Sequence, residues 1–295
     1  MNKTTNNEKQ QAAGSSVIAA FGLTAFKIIV GFMTGSLGII AEAAHSGLDL
    51  VSAVITAFAV KKSAEPADRE HPYGHGKFEN LSAFTETILL LFTAGWIIIT
   101  AMKHILTGKV EIEVTIWSFL VMITSIIVDV NRSRMLYRVA KKYNSQALEA
   151  DALHFSTDIW SSAVVIFGLF CVLLSQWIKG CEFLYYADSV AAIIIGLIVI
   201  RISMKLGKQT IDSLLDAAPK GLDIKIKSVV EVLPYVKNCH HIRIRSLGHQ
   251  YFIDLHVVMD GSITLREAHS LTEGIELAIQ AIIPQADVTV HPEPK

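Results

Sequence analysis

The amino-acid sequence predicts an α-helical membrane protein with six transmembrane helices, followed by a C-terminal cytoplasmic α+β domain. Three observations carry that reading. Hydrophobic residues make up 52% of the 295, and mean hydropathy is +0.45, more apolar than the ~45–50% of an ordinary soluble domain. Six runs, roughly 16–36, 38–61, 81–107, 114–137, 148–177 and 186–207, match the about 20 apolar residues a helix needs to cross the hydrocarbon. Beyond residue 208 solid hydrophobicity gives way to shorter runs, period-2 alternation and Pro219, Pro234, Pro284, Pro292 and Pro294.

Residues 1–12 read as a polar N-terminal tail. MNKTTNNEKQQAAGSS lacks the basic, short-apolar, small-residue succession of a cleaved signal peptide, so the first run is expected to be an uncleaved anchor. Residues 13–208 form the transmembrane domain. Lys61, Lys62, Arg69 and Lys77 lie between the second and third runs. Arg132, Arg134, Arg138, Lys141 and Lys142 lie between the fourth and fifth, and Arg201, Lys205 and Lys208 follow near the end of the sixth. The opposite side offers only Lys103, Lys109 and Lys179, so the excess of cations places both termini in the cytoplasm. Cys171, Cys181 and Cys239 form no CxxC and suggest no disulfide framework. A formal net charge of −1 argues against a nucleic-acid partner, which would need a dense basic face.

Residues 209–295 form the second domain. GLDIKIKSVVEVLP reads as a helix, CHHIRIRSLG and QYFIDLHVVMD as a hairpin pair. SITLREAHSLTEGIELAIQAIIP reads as a helix opened by Ser262 or Thr264 with Glu267 in its first turn, and ADVTVHPE as a last strand. Helices on one face of a small sheet give an α+β layer whose element order resembles metallochaperone-like folds.

The chemistry concentrates in two membrane runs. AAHSGLDLVSA holds His45 and Asp49, and DALHFSTDIW holds His154 and Asp158, in the same i, i+4 spacing and a similar surrounding pattern. Residues four apart sit one turn above another on one helix face, so each pair can converge on a point. A charge at mid-bilayer costs about 2.5–3.5 kcal/mol on insertion scales, so such residues line a polar path or find a partner. One such pair reads equally well as a helix-packing contact; two matching copies point to a shared site. Two imidazoles and two carboxylates make a tetrahedral set for a divalent cation, with zinc the best match. Glu42, Glu86, Asp129, Asp151 and Asp188 lack such a pattern and read as packing contacts or groups near the membrane surface.

The loop DREHPYGHGKFE adds Asp68, His71 and His75, with Pro72 and Gly74 arguing for a loop site rather than a helical one. Lys77, just beyond it, is a candidate for a charge contact with Asp212 or Asp216 at the start of the second domain. In that domain strand alternation separates Ile253, Leu255 and Val257 from Asp254 and His256, and gives His291 the polar parity.

The quartet, the loop, the span count and the C-terminal domain together resemble the cation diffusion facilitator family of zinc transporters, in particular its homodimeric bacterial zinc/proton antiporters, over essentially the whole chain beyond residue 12. The resemblance implies a homodimer that exports cytoplasmic zinc in exchange for protons by alternating access, with the quartet as transport site. It also implies a metal at the loop, and a cytoplasmic binuclear zinc site at His240, His256, His269 and His291. There the family's usual last aspartate is Glu293, preceded by Pro292, which puts bridging of two metals in question; His241 and Cys239 are neighbouring candidate ligands. Ligand chemistry supports antiport independently. Zinc needs neutral imidazole and ionised carboxylate, so metal and protons compete for the same four groups. His45, in place of an aspartate found in broader-range carriers, favours zinc over manganese or magnesium; cadmium, cobalt, nickel and iron remain alternatives within the class.

Rival readings differ in class. A membrane metalloprotease needs HExxH, which does not occur. A zinc-gated channel needs weak sites from which ions leave quickly, and a membrane-tethered zinc sensor would have no transport to lose. No enzyme activity is expected. The segment NRSRMLYRVAKKYNSQ lacks the long histidine-rich insertion of vesicular relatives, so a bacterial inner membrane is expected, with lipid, protons, divalent metal and a second copy of the chain as partners.

Overall fold

The computed structural model describes residues 3–107, 116–177, 187–248 and 250–295. The expectations on Lys109, Lys179 and Cys181, and on the side chains of Cys171 and Asp188, lie outside what is described. The chain divides into two compact units, Met1–Thr210 and Ile211–Lys295.

The first unit is built from α1 (Lys3–Thr34), α2 (Leu37–Ser63), α3 (Lys77–Thr107), α4 (Ile116–Tyr143), α5 (Gln146–Trp177) and most of α6 (Ala187–Leu214). Four of these, α1, α2, α3 and α6, are long and apolar enough to cross a membrane among the described residues. Six runs of that kind were expected. The second half of α4 carries Asp129, Arg132, Arg134, Arg138, Lys141 and Lys142, and the first half of α5 carries Glu149, Asp151, His154 and Asp158. These two helices spend their apolar residues around a polar interior. Outward faces are apolar: Phe21, Phe32, Phe58, Phe92 and Trp96 are all exposed, a surface suited to lipid rather than water.

Helix α1 packs along α2 and α4, α4 along α5, and α3 against both α2 and α5. Small residues let backbones approach, as membrane helices require. A Cβ at Gly196 of α6 would come within 2.6 Å of Ile98, and one at Gly207 within 2.9 Å of Thr87, so α6 lies close on α3 at both points. The helix α1 starts well before the apolar run, and most of the stretch expected as a polar tail is helical. The reason is Lys9, which is 3% exposed and bonds Glu79 of α3 at 2.5 Å. Ser63 donates to the same carboxylate at 2.9 Å, and Ser145 donates to its other oxygen. One buried carboxylate thus ties α1, α2, α3 and the residue before α5.

The second unit contains α7 (Leu222–Val230), β1 (Asn238–Leu247), β2 (Gln250–Met259), α8 (Leu265–Ile282) and β3 (Ala286–Pro294). Strands β1 and β2 pair antiparallel, and α8 returns the chain so that β3 pairs parallel to β2. Alternation buries Ile253, Leu255, Val257 and Met259 against Ile275 and Ile279 of α8 and Ile226 and Val230 of α7. Thr264 caps α8 in a reciprocal box with Glu267. The opposite face of the sheet is left to the polar residues.

Removing one member of a buried ion pair strands the other charge and costs about 3–5 kcal/mol, whereas replacing both by apolar residues is often neutral. Lys9→Ala is therefore expected to lower the thermal midpoint of the detergent-solubilised protein well below that of Lys9→Met combined with Glu79→Leu; equal midpoints would mean that the pair does not hold the bundle.

Candidate functional site

His45 and Asp49 project from one face of α2, and His154 and Asp158 from one face of α5. Packing of the two helices brings the pairs together. His154 Nε2 lies 3.2 Å from Asp49 Oδ1 and 3.6 Å from Asp158 Oδ2. His45 Nε2 lies 4.0 Å from Asp49 Oδ1 and 4.0 Å from Asp158 Oδ1. Zinc bonds of about 2.0–2.2 Å in a tetrahedron put ligand atoms roughly 3.3–3.6 Å apart, so His154 already stands at about coordination spacing from both carboxylates, and His45, at 4.0 Å from each, needs only a small inward shift. Asp49 and His154 are buried at 8% and 4% exposure, and Asp158 Oδ2 is a buried oxygen with no hydrogen-bond partner among the described residues. A buried, unpartnered carboxylate oxygen is costly unless a cation or proton reaches it.

Around the quartet lie the carboxylates that the sequence offered no pattern for. Glu86 of α3 sits with Oε1 3.5 Å from His154 Nδ1, and Ser52 of α2 donates to both its oxygens. The expectation of a packing contact missed this neighbour; Ser52, three residues after Asp49 on the same helix face, was the available signal. Glu42 does make a packing contact, 3.0 Å from Lys27, whose ammonium also donates to Ser46. Arg132 lies 3.4 Å from Asp129, donates to Ser16, and stacks 3.5 Å from the centroid of Phe155, the residue beside His154. Ser16 in turn donates to Asp151.

The loop residues also converge. Asp68 accepts from the backbone N–H groups of His71 at 2.6 Å and Glu70 at 2.9 Å, and its carboxylate stands 3.4 Å from both His71 Nδ1 and His75 Nε2. Gly74, at φ 87, makes the left-handed turn that swings His75 back toward Asp68. The His71 amide, first among the causes, holds the Asp68 carboxyl below the usual carboxylate range, so it stays ionised across the physiological range. Lys77 opens α3 in the first unit and Asp216 lies in the second, at φ 58.

In the second unit strand register does the gathering. His240 of β1 pairs with His256 of β2, which pairs with His291 of β3, so three imidazoles cross the sheet in one row. Glu293, two residues along β3 on the same face, contacts His256 Nδ1 at 2.7 Å with one oxygen and His240 Nε2 at 3.3 Å with the other. That posture addresses the length of the side chain: the extra methylene lets its two oxygens face two imidazoles. The His256 hydrogen bond, its largest cause, keeps the Glu293 carboxyl below the ordinary value. A bulge between His240 and Arg243, with His241 at φ 48, turns His241 toward the same group, its ring 5.1 Å from that of His256. The orphaned His240 Nδ1 is a further donor atom. The donor set fits resident metal ions, which His240, His241, His256, His291 and Glu293 would hold. His269 stands apart on α8, 3.5 Å from Glu273 and outside this group within one chain.

Cys239 is corrected as a ligand candidate. It is fully buried in the core on the opposite face, and burial pushes its thiol up to about 11. Raised above its ordinary value, the thiol stays protonated, and so a poor ligand, until the pH approaches that range. Alkylation of Cys239, followed by peptide mass spectrometry, is accordingly expected to be negligible at pH 8 in the folded protein and rapid after unfolding; fast native labelling would place the thiol at the surface.

The chain is similar to known proteins over nearly its whole length. The model of the cation efflux transmembrane domain matches residues 15–215, and that of the cation efflux protein cytoplasmic domain matches residues 220–295. The cation-efflux pump FieF of Pectobacterium atrosepticum is 31% identical over 96% of this chain and 92% of that protein, and the pump of the same name from Serratia proteamaculans is 31% identical over 97% and 92%. Among solved structures, the metal-bound C-terminal domain of the CzcD transporter from Thermotoga maritima is 34% identical over 26% of this chain and 94% of that one, with a TM-score of 0.24.

Proposed function

The chain belongs to the cation efflux family and is an integral membrane protein, and from that premise we propose that it exports zinc from the cytoplasm in exchange for protons. The observation that carries this reading is the convergence of His45, Asp49, His154 and Asp158 at near-coordination distances between two helices inside the membrane unit. Two nitrogens and two oxygens suit zinc, with cadmium next, and cobalt, nickel and iron within reach of the same donors.

The residues themselves couple the two cargoes. Zinc binds when Asp49 and Asp158 are ionised and both imidazoles offer a lone pair at Nε2; protons arriving at those atoms remove the lone pairs and release the metal. All six long helices serve as spans, α4 and α5 enclosing their charges within the bundle, with both termini on the cytoplasmic side of a bacterial inner membrane. The chain works as a homodimer. Metal on the histidine row of the second unit stabilises one arrangement of the paired cytoplasmic domains. The loop at Asp68, His71 and His75 holds a further ion.

Zinc uptake into proteoliposomes under an imposed pH gradient tests the reading. Proton-dependent flux is expected from the unmodified protein, with at least a 100-fold loss in Asp49→Ala and in His154→Ala, in keeping with the roughly 10–100-fold that even outer contacts of a metal site carry. Flux that ignores the gradient would make the protein a channel, and zinc binding without flux would make it a sensor.

A further inference from the structure

We propose that Glu86 is a positioning residue for the transport site: it receives the Nδ1–H of His154, so that Nε2 is presented to the metal. The inference rests on the quartet being the cargo site.

The geometry of His154 leads there. Its Nε2 faces Asp49 at 3.2 Å and Asp158 at 3.6 Å, so Nε2 is the atom offered to a cation. A neutral imidazole that ligates through Nε2 carries its proton on Nδ1, and the partner of that proton sets the tautomer and the plane of the ring. In His154 this atom is buried and has no hydrogen bond within normal limits, and the carboxylate facing it is Glu86, 3.5 Å away. His45 differs: its side chain is 42% exposed, against 5% for His154. Of the two, His154 is the one enclosed by protein, so its second nitrogen must find its acceptor among the surrounding side chains.

Glu86 is itself held for the task. Ser52 Oγ donates to both carboxylate oxygens, and Ser52 lies three residues after Asp49 on α2. The chain Ser52, Glu86, His154 therefore links α2, α3 and α5, and the ligand on α5 is oriented by a side chain of α3 that is anchored on α2. A carboxylate behind a ligating imidazole fixes the ring and raises its basicity as a ligand, and loss of such a partner typically lowers metal affinity or activity about 10–100-fold.

Zinc transport by the full-length protein in proteoliposomes, compared for Glu86→Ala, Glu86→Gln, Ser52→Ala and Asp49→Ala, tests the assignment. Glu86→Ala should raise KM for zinc about 10–100-fold with a smaller change in kcat. Glu86→Gln keeps an oxygen acceptor and should recover at least half of that loss on a logarithmic scale, since a charge-assisted bond is about twice as strong as a neutral one. Ser52→Ala, a milder change that leaves the carboxylate in place, should raise KM in the same direction and by less. Thermal midpoints of the metal-free variants separate affinity from folding: a purely structural Glu86 would lower the midpoint and leave KM unchanged, overturning the assignment. Equal losses in Glu86→Ala and Glu86→Gln would also overturn it, making the charge itself a ligand. Wild-type flux in Asp49→Ala would sink the transport-site reading instead, and with it this one.

Discussion

The contact between Asp49 of α2 and His154 of α5, 3.2 Å long and buried from water, is the constraint that the membrane unit is arranged around. Ionisable groups at membrane depth are tolerated only when they face a partner or a polar path. The bundle meets that condition by placing Asp49, Glu86, Arg132 and His154 inward and Phe21, Phe32, Phe58, Phe92 and Trp96 outward. Packing of α2 and α5 therefore answers two demands at once: it closes the helices on each other and assembles a donor set that neither helix has alone.

The same rule organises the periphery. Lys9 with Glu79 and Arg132 with Asp129 join a buried acid to a base, the buried Lys27 reaches the half-exposed Glu42, and serines complete the shells. Buried ion pairs of this kind add little net stability relative to a well-packed apolar core. Their contribution here is register: Lys9–Glu79 and Lys27–Glu42 fix which turn of one helix faces which turn of another, and so where the two His–Asp pairs fall. Arg132 and Asp129 share α4, and Arg132 reaches the other helices through Ser16 of α1 and the ring of Phe155, the residue next to His154 on α5.

Local spacing made the two His–Asp pairs legible, because an i, i+4 relation on a helix survives in the bare sequence. The succession of helices and strands in the second domain was readable for the same reason, as was a cap for α8 at Ser262 or Thr264, which the structure narrows to Thr264. What escaped depends on contacts between residues far apart in sequence. Glu86 carries no motif of its own, and its place beside His154 follows only from how α3 lies against α5. Lys9 looks like part of a polar tail until Glu79, 70 residues away, takes it into the interior. The bulge that turns His241 toward His256 breaks the alternation from which strand faces are read. Cys239 was misjudged as a ligand candidate because it neighbours His240 in sequence, while in the sheet it points into the core.

Gly196 and Gly207 stand eleven residues apart in the numbering, about three turns of helix, so they lie on one side of α6, the side pressed to Ile98 and Thr87 of α3. At both points an α3 side chain fills the notch that the missing side chain leaves in α6, so the two helices approach most closely where α6 has no Cβ. The spacing between α3 and α6 is therefore written into two hydrogen atoms: a methyl group in place of either would wedge the pair apart.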